Sequence, residues 1–161
     1  MTPLTKGLVL GGVQVAMVLS LGGKLLVDRA TQPRVWVKVV PFDPHLPIRG
    51  RYVSLQVMAE ARGFEPGVLY TTAQLSVEDG KLIARPTEDT SATMVRITGN
   101  PPVANLSEPV AFFIPEHVPD PSRRPSGEEL WVEVTVPKKG PPRPIRLGVK
   151  KDGVLTPLAL D

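Results

Sequence analysis

Between Pro3 and Pro33 the chain carries no proline, whereas beyond Pro33 prolines recur through to the end, nineteen in all. Proline removes a backbone donor and clashes with the preceding turn, so any long helix has to lie before Pro33. That window holds residues 7–23, seventeen in a row without a charge, then Lys24, then Leu25-Leu26-Val27. A helix needs about 20 apolar residues to cross a bilayer, and a lysine near its end can extend its stem to place the ammonium among headgroups. Residues 7–27 therefore read as a transmembrane helix, with the lipid bilayer as the first expected partner. Two other readings compete. A cleavable signal peptide would need an A-x-A-like arrangement after the apolar core, which Leu21-Gly22-Gly23 and Asp28-Arg29-Ala30 fit poorly. The third reading is the buried core helix of a soluble protein.

With 161 residues there is room for one ordinary domain and an appendage. The expected division is an N-terminal anchor over residues 1–30 and a β domain over 31–161. Only Lys6 and the α-amino group precede the apolar run, while Lys24, Arg29, Arg34 and Lys38 follow it. That is the reverse of the positive-inside tendency for an exported C-terminal domain. Export is nevertheless expected, because a six-residue leader houses nothing and the remainder is proline-rich and β-like.

From Arg34 the hydrophobic period becomes two. Val35, Val37 and Val39 alternate with Arg34, Trp36 and Lys38, the pattern of a half-buried strand. Pro41, Pro44 and Pro47 make a stiff loop with a turn at Asp43-Pro44. A second strand starts near Arg49 and sets Val53, Leu55, Val57 and Ala59 opposite Tyr52, Ser54, Gln56, Met58 and Glu60. Residues 69–77 and 81–85 form a hairpin around Glu78-Asp79-Gly80. Residues 94–98 form a short strand, and the compact run 110–114 reads as central. Residues 116–127 are a surface loop, with Ser126-Gly127-Glu128-Glu129 as one helical turn. Residues 130–136 form a strand with Leu130, Val132, Val134 and Val136 on one face. A last hairpin turns at Asp152-Gly153. About eight short strands argue for a mostly β fold: a small antiparallel β-sandwich or partly open barrel preceded by one N-terminal transmembrane helix.

The formal charge is +3, with eleven basic and eleven acidic residues in 1–120 and eight against five in 121–161. The pairs Arg123-Arg124, Lys138-Lys139 and Lys150-Lys151 come without a recognition motif or stacking aromatics, so nucleic acid is not an expected partner. The absence of cysteine excludes disulfides and thiolate chemistry but does not identify a compartment.

The densest polar cluster lies between the first two strands. Gly50-Arg51-Tyr52-Val53-Ser54-Leu55-Gln56-Val57, preceded by Pro41-Phe42-Asp43-Pro44 and Arg49, resembles a family of small membrane-anchored bacterial proteins named for a G-D-Y-x-x-L-x-Y motif. The resemblance extends to Phe112-Phe113-Ile114-Pro115-Glu116 and to the Asp152-Gly153 hairpin. Arg51 stands where the motif has aspartate and Val57 where it has the second tyrosine, so no role of that acid or phenol carries over. The resemblance implies an uncharacterised single-pass protein of the cytoplasmic membrane with its C-terminal domain in the periplasm. It implies no reaction and no cofactor.

On this reading Asp43, Arg49, Gly50, Arg51, Tyr52, Leu55 and Glu116 form a binding or structural motif, with Arg49 and Arg51 paired to Asp43 or Glu116. His45 and His117, with Asp43 and Glu116, would make a transition-metal ligand set only if the fold gathered them. A hydrolase with the layout of membrane-bound signal peptidases would need Ser54 activated by a desolvated lysine, and Lys81 follows a turn glycine in a solvated context. The expected function is a binding or assembly module for another membrane or envelope protein. A membrane-bound hydrolase and a metal-binding protein are the alternatives.

Overall fold

The computed structural model describes residues 2–42, 52–115 and 117–160. The chain divides into two units, Met1–Gln32 and Pro33–Asp161. The first is helix α1, Pro3–Thr31. Thr2 caps it, its hydroxyl accepting from the Thr5 amide, and Pro3 occupies the first helical turn, where a missing N–H costs nothing. The helix closes when the Gln32 amide donates to the Asp28 carbonyl at 3.0 Å, and Pro33 follows. Ser20 and Thr31 donate their hydroxyls back to the carbonyls of Met17 and Val27, so neither leaves an unmet donor on the helix surface. The stretch Leu4–Asp28 is long and apolar enough to cross a membrane, and none of it is buried. Its 25 residues rise about 37 Å, which exceeds a hydrocarbon core of about 30 Å.

The second unit is built from ten strands among the described residues: β1 Arg34–Pro41, β2 Tyr52–Ala61, β3 Tyr70–Glu78, β4 Lys81–Pro86, β5 Thr93–Thr98, β6 Val103–Leu106, β7 Val110–Phe113, β8 Glu128–Thr135, β9 Arg143–Lys151 and β10 Val154–Pro157. The pairings run β2–β4–β3–β5–β6 and back to β2, which closes a five-stranded barrel. A second run, β10–β9–β8–β1, joins the barrel where β1 pairs with β2, and β7 adds to the first half of β2. The mostly β domain behind one apolar helix is thus as the sequence indicates. One pairing departs from an all-antiparallel sheet: β2 and β4 run parallel through Glu60 and Ile83.

β2 is the hinge of the fold because its alternation never breaks. All ten residues alternate between half-buried and buried, with Leu55 and Val57 fully enclosed. Its first half serves β7 and β1, and its second half serves the barrel. One apolar cluster runs through both regions, from Val35, Val132 and Leu147 to Leu75, Val95 and Leu106.

Both sequence-predicted hairpins form. Asp79-Gly80 and Asp152-Gly153 take positive φ at both central positions, the primed turn whose twist matches the flanking strands. Three expectations need correction. The strand 110–114 is not central: β7 pairs with β2 alone among the described residues, and Phe113 is 76% exposed. Ser126-Gly127-Glu128-Glu129 is not a helical turn, because Gly127 has φ +90° and Glu128 already opens β8 opposite Lys151. Strand β6, the four residues directly after Pro101-Pro102, is absent from the sequence reading.

Candidate functional site

Of the motif named from the sequence, Asp43, Arg49, Gly50, Arg51 and Glu116 lie outside the described residues, as does His45. Tyr52 opens β2 directly across from Phe113, with ring centroids 6.2 Å apart and planes tilted by 55°. Leu55 is core, closed off between Val110 and Pro41 of the neighbouring strands, so it recognises nothing from outside. Val57, at the position of the motif's second tyrosine, is likewise fully buried. His117 is an exposed turn residue, and among the described residues no three His, Cys, Asp or Glu side chains gather as a metal site would require. Ser54 sits half-buried in mid-strand, and the Lys81 ammonium pairs with Glu60 at 3.3 Å in a largely exposed position. A lysine so placed is solvated, the opposite of the desolvated base that a serine nucleophile needs.

A different place has the shape of a binding site. β1 and β2 pair only where Val39, Val40 and Pro41 meet Val57, Gln56 and Leu55. Beyond that they part: residues 34–38 turn to β8, and residues 58–61 enter the barrel. The fork opens a groove of about 730 Å³. Trp36 and Trp131, the chain's two tryptophans, line one wall, and Met58 lines the other. Pro101 and Pro102 also border the groove. Its apolar floor includes Val37, Ala59 and Leu82, all core residues. This volume and this mostly apolar lining fall within the range of small-molecule and cofactor sites.

The indoles are held in place by their neighbours on the sheet. Trp36 lies against Gly148 of β9, where an added Cβ would come within 2.8 Å of the ring, so only glycine permits that approach. The Arg146 guanidinium sits 5.4 Å from the Trp36 ring centroid and is itself fixed by a 2.6 Å hydrogen bond donated to Glu133. Trp131 donates its indole N–H to Glu129 at 3.2 Å, and Lys150 stacks over its ring at 4.6 Å. Lys38 donates to the other Glu129 oxygen. These bonds, that from Lys38 first and that from Trp131 next, hold the Glu129 carboxyl below the usual range. Each indole is thus stacked by one cation and steered by a carboxylate network, an arrangement that fixes aromatic walls before any ligand arrives.

The barrel side of the groove carries a second ionic network. Arg62 bonds Glu60 at 2.8 Å and Glu78 at 3.3 Å, Lys81 bonds Glu60, and Arg85 bonds Glu78 at 2.9 Å. Hydrogen bonds from Arg62 and then Lys81 lower the Glu60 carboxyl, and those from Arg85 and then Ser76 lower Glu78. No family model, curated protein or solved structure matches the chain.

Proposed function

We propose that this chain is a single-pass membrane protein whose β domain is a binding and assembly module. The observation that carries the reading is the pairing of a membrane-length apolar helix with a β domain that holds a pre-set tryptophan groove. The helix supplies location, and the groove supplies a place for a ligand. Exposed strand edges supply the means of assembly: Phe113 on β7 and Val154 on β10 are 76% and 67% exposed at the margins of the sheet. Such edges accept a further strand from another membrane or envelope protein.

Under this proposal the protein resides in a bacterial cytoplasmic membrane with its β domain on the periplasmic side, and it belongs with the G-D-Y-x-x-L-x-Y proteins. The support is the Gly50-x-Tyr52-x-x-Leu55 pattern together with the membrane-length apolar helix ahead of the β domain. No reaction is assigned to it. A reporter active only outside the cytoplasm, fused after Asp161, should be active. A reporter silent there but active in the cytoplasm would reverse the orientation. Purification of the full chain from mild detergent should bring down a stoichiometric membrane or envelope protein, and recovery of the chain alone would remove the assembly role.

A further inference from the structure

The groove between β1 and β2 is apolar in its floor and both walls, so its ligand must carry an apolar portion. Its ionic surroundings indicate what else that ligand carries. On the barrel side, Arg62, Lys81 and Arg85 stand against Glu60 and Glu78, three cations to two carboxylates. On the opposite side, Lys38 and Lys150 stand against Glu129. Of the charged side chains that line the groove itself, Lys38 and Lys81 outnumber Glu60, while the space between is walled by indole, thioether and proline. This is the chemistry of an amphiphile with an anionic head and a hydrocarbon tail.

The source of such a ligand follows from chain length. Trp36 is the fifth residue after Thr31, the last helical residue. An extended chain advances at most about 3.6 Å per residue, so the stretch of chain from the last helical residue to the first groove tryptophan can reach no more than about 18 Å. Tryptophan faces backed by lysine and arginine are also the side chains that favour the bilayer interface.

We infer that the groove takes a phospholipid from the bilayer in which α1 is anchored, with an acyl chain against Trp36, Met58 and Trp131 and the headgroup phosphate between Lys38 and Lys81. The inference rests on the membrane-anchor part of the proposed function.

The two tryptophans make the test direct, since all indole emission of the full chain comes from residues that line the groove. The full chain is reconstituted into vesicles whose anionic phospholipids carry bromine deep in the acyl chain, and emission is compared with that in unbrominated vesicles. Flotation of the same samples reports insertion separately. The expected result is that the wild type floats and is strongly quenched. Met58→Arg, a half-exposed wall position, should float and lose most of the quenching, and Leu69→Arg, an exposed position away from the groove, should float and keep it. Far-UV circular dichroism confirms that both variants retain the β domain. If the wild type floats and its emission is unchanged by bromine, the groove holds no lipid while the anchor stands. That is also the outcome if a polypeptide fills it. Quenching of Met58→Arg equal to wild type would place the lipid elsewhere and overturn the inference. Failure to float would sink the anchor, and the inference with it.

Discussion

The barrel and the β1–β8–β9 sheet share one apolar core but finish their outer surfaces in opposite ways. On the barrel, the side chains of β2 and β3 that point away from the core stay partly or fully exposed, and Glu60, Arg62, Glu78, Lys81 and Arg85 form an ionic lattice. On the sheet, two tryptophans, stacked cations and a glycine close the outer face, so that β8 is buried on both sides and even Glu133 and Thr135 are largely hidden. Identical period-two patterning therefore says which residues face the core but not whether the other face is wet. Side-chain size and cross-strand pairing decide that, and they decide also which region is rigid enough to wall a binding site.

Five substitutions and a pH titration break or sharpen this contrast, all read by thermal unfolding of the full chain in detergent. Leu106→Ala in the barrel and Leu147→Ala in the sheet each empty a fully buried site and should each cost about 2–5 kcal/mol. Because the core is continuous, both should lower one cooperative transition, whereas two separate transitions would show that barrel and sheet unfold independently. Gly148→Ala should come next, at about 1–3 kcal/mol, since its Cβ meets the Trp36 ring at 2.8 Å and the Thr156 carbonyl at 3.1 Å. A red shift of indole emission should accompany it as Trp36 is pushed outward.

Acid should act on both regions. The Glu60, Glu78 and Glu129 carboxyls are held below their ordinary values in the folded chain. Groups of this kind contribute stability that is complete above the unfolded carboxylate pKa and is lost as pH falls through the lower folded value. Stability should thus be level near neutrality and decline in the acid range, and Glu129→Gln should flatten part of that decline. A wild type whose stability does not change in acid would contradict these ion pairs. Smallest of all is Lys81→Ala, where an exposed pair is screened by water and salt, and no measurable loss is expected. A clear loss there would show that the barrel lattice is less open than its exposure indicates.

Much of this architecture is legible in the residues. The proline-free window confines the helix, the Asp-Gly turns pin both hairpins, and the unbroken alternation from Val53 to Ala61 sets the buried face of β2. What misleads is local patterning without partners. Val-Ala-Asn-Leu is too short to signal β6, whose existence depends on closing the barrel between β5 and β2. Val-Ala-Phe-Phe reads as central because it is apolar on both faces, yet β7 ends at an edge with Phe113 in water. The candidate motif stands out in the sequence for its crowded polar groups. Of its described members, Leu55 is core and Tyr52 packs against Phe113. The groove had only a faint signature, two tryptophans among charged residues on the outward side of strands 95 positions apart, 131 − 36. It exists because β1 and β2 pair and then part, a long-range choice that no local period encodes.

The central claim is that the groove is a ligand site served by the membrane, and native mass spectrometry of the full chain released from mild detergent tests it most directly. The account predicts a population with about one phospholipid retained per chain, lost in Met58→Arg and kept in Leu69→Arg. A wild-type chain that emerges bare under conditions gentle enough to preserve its fold would contradict it.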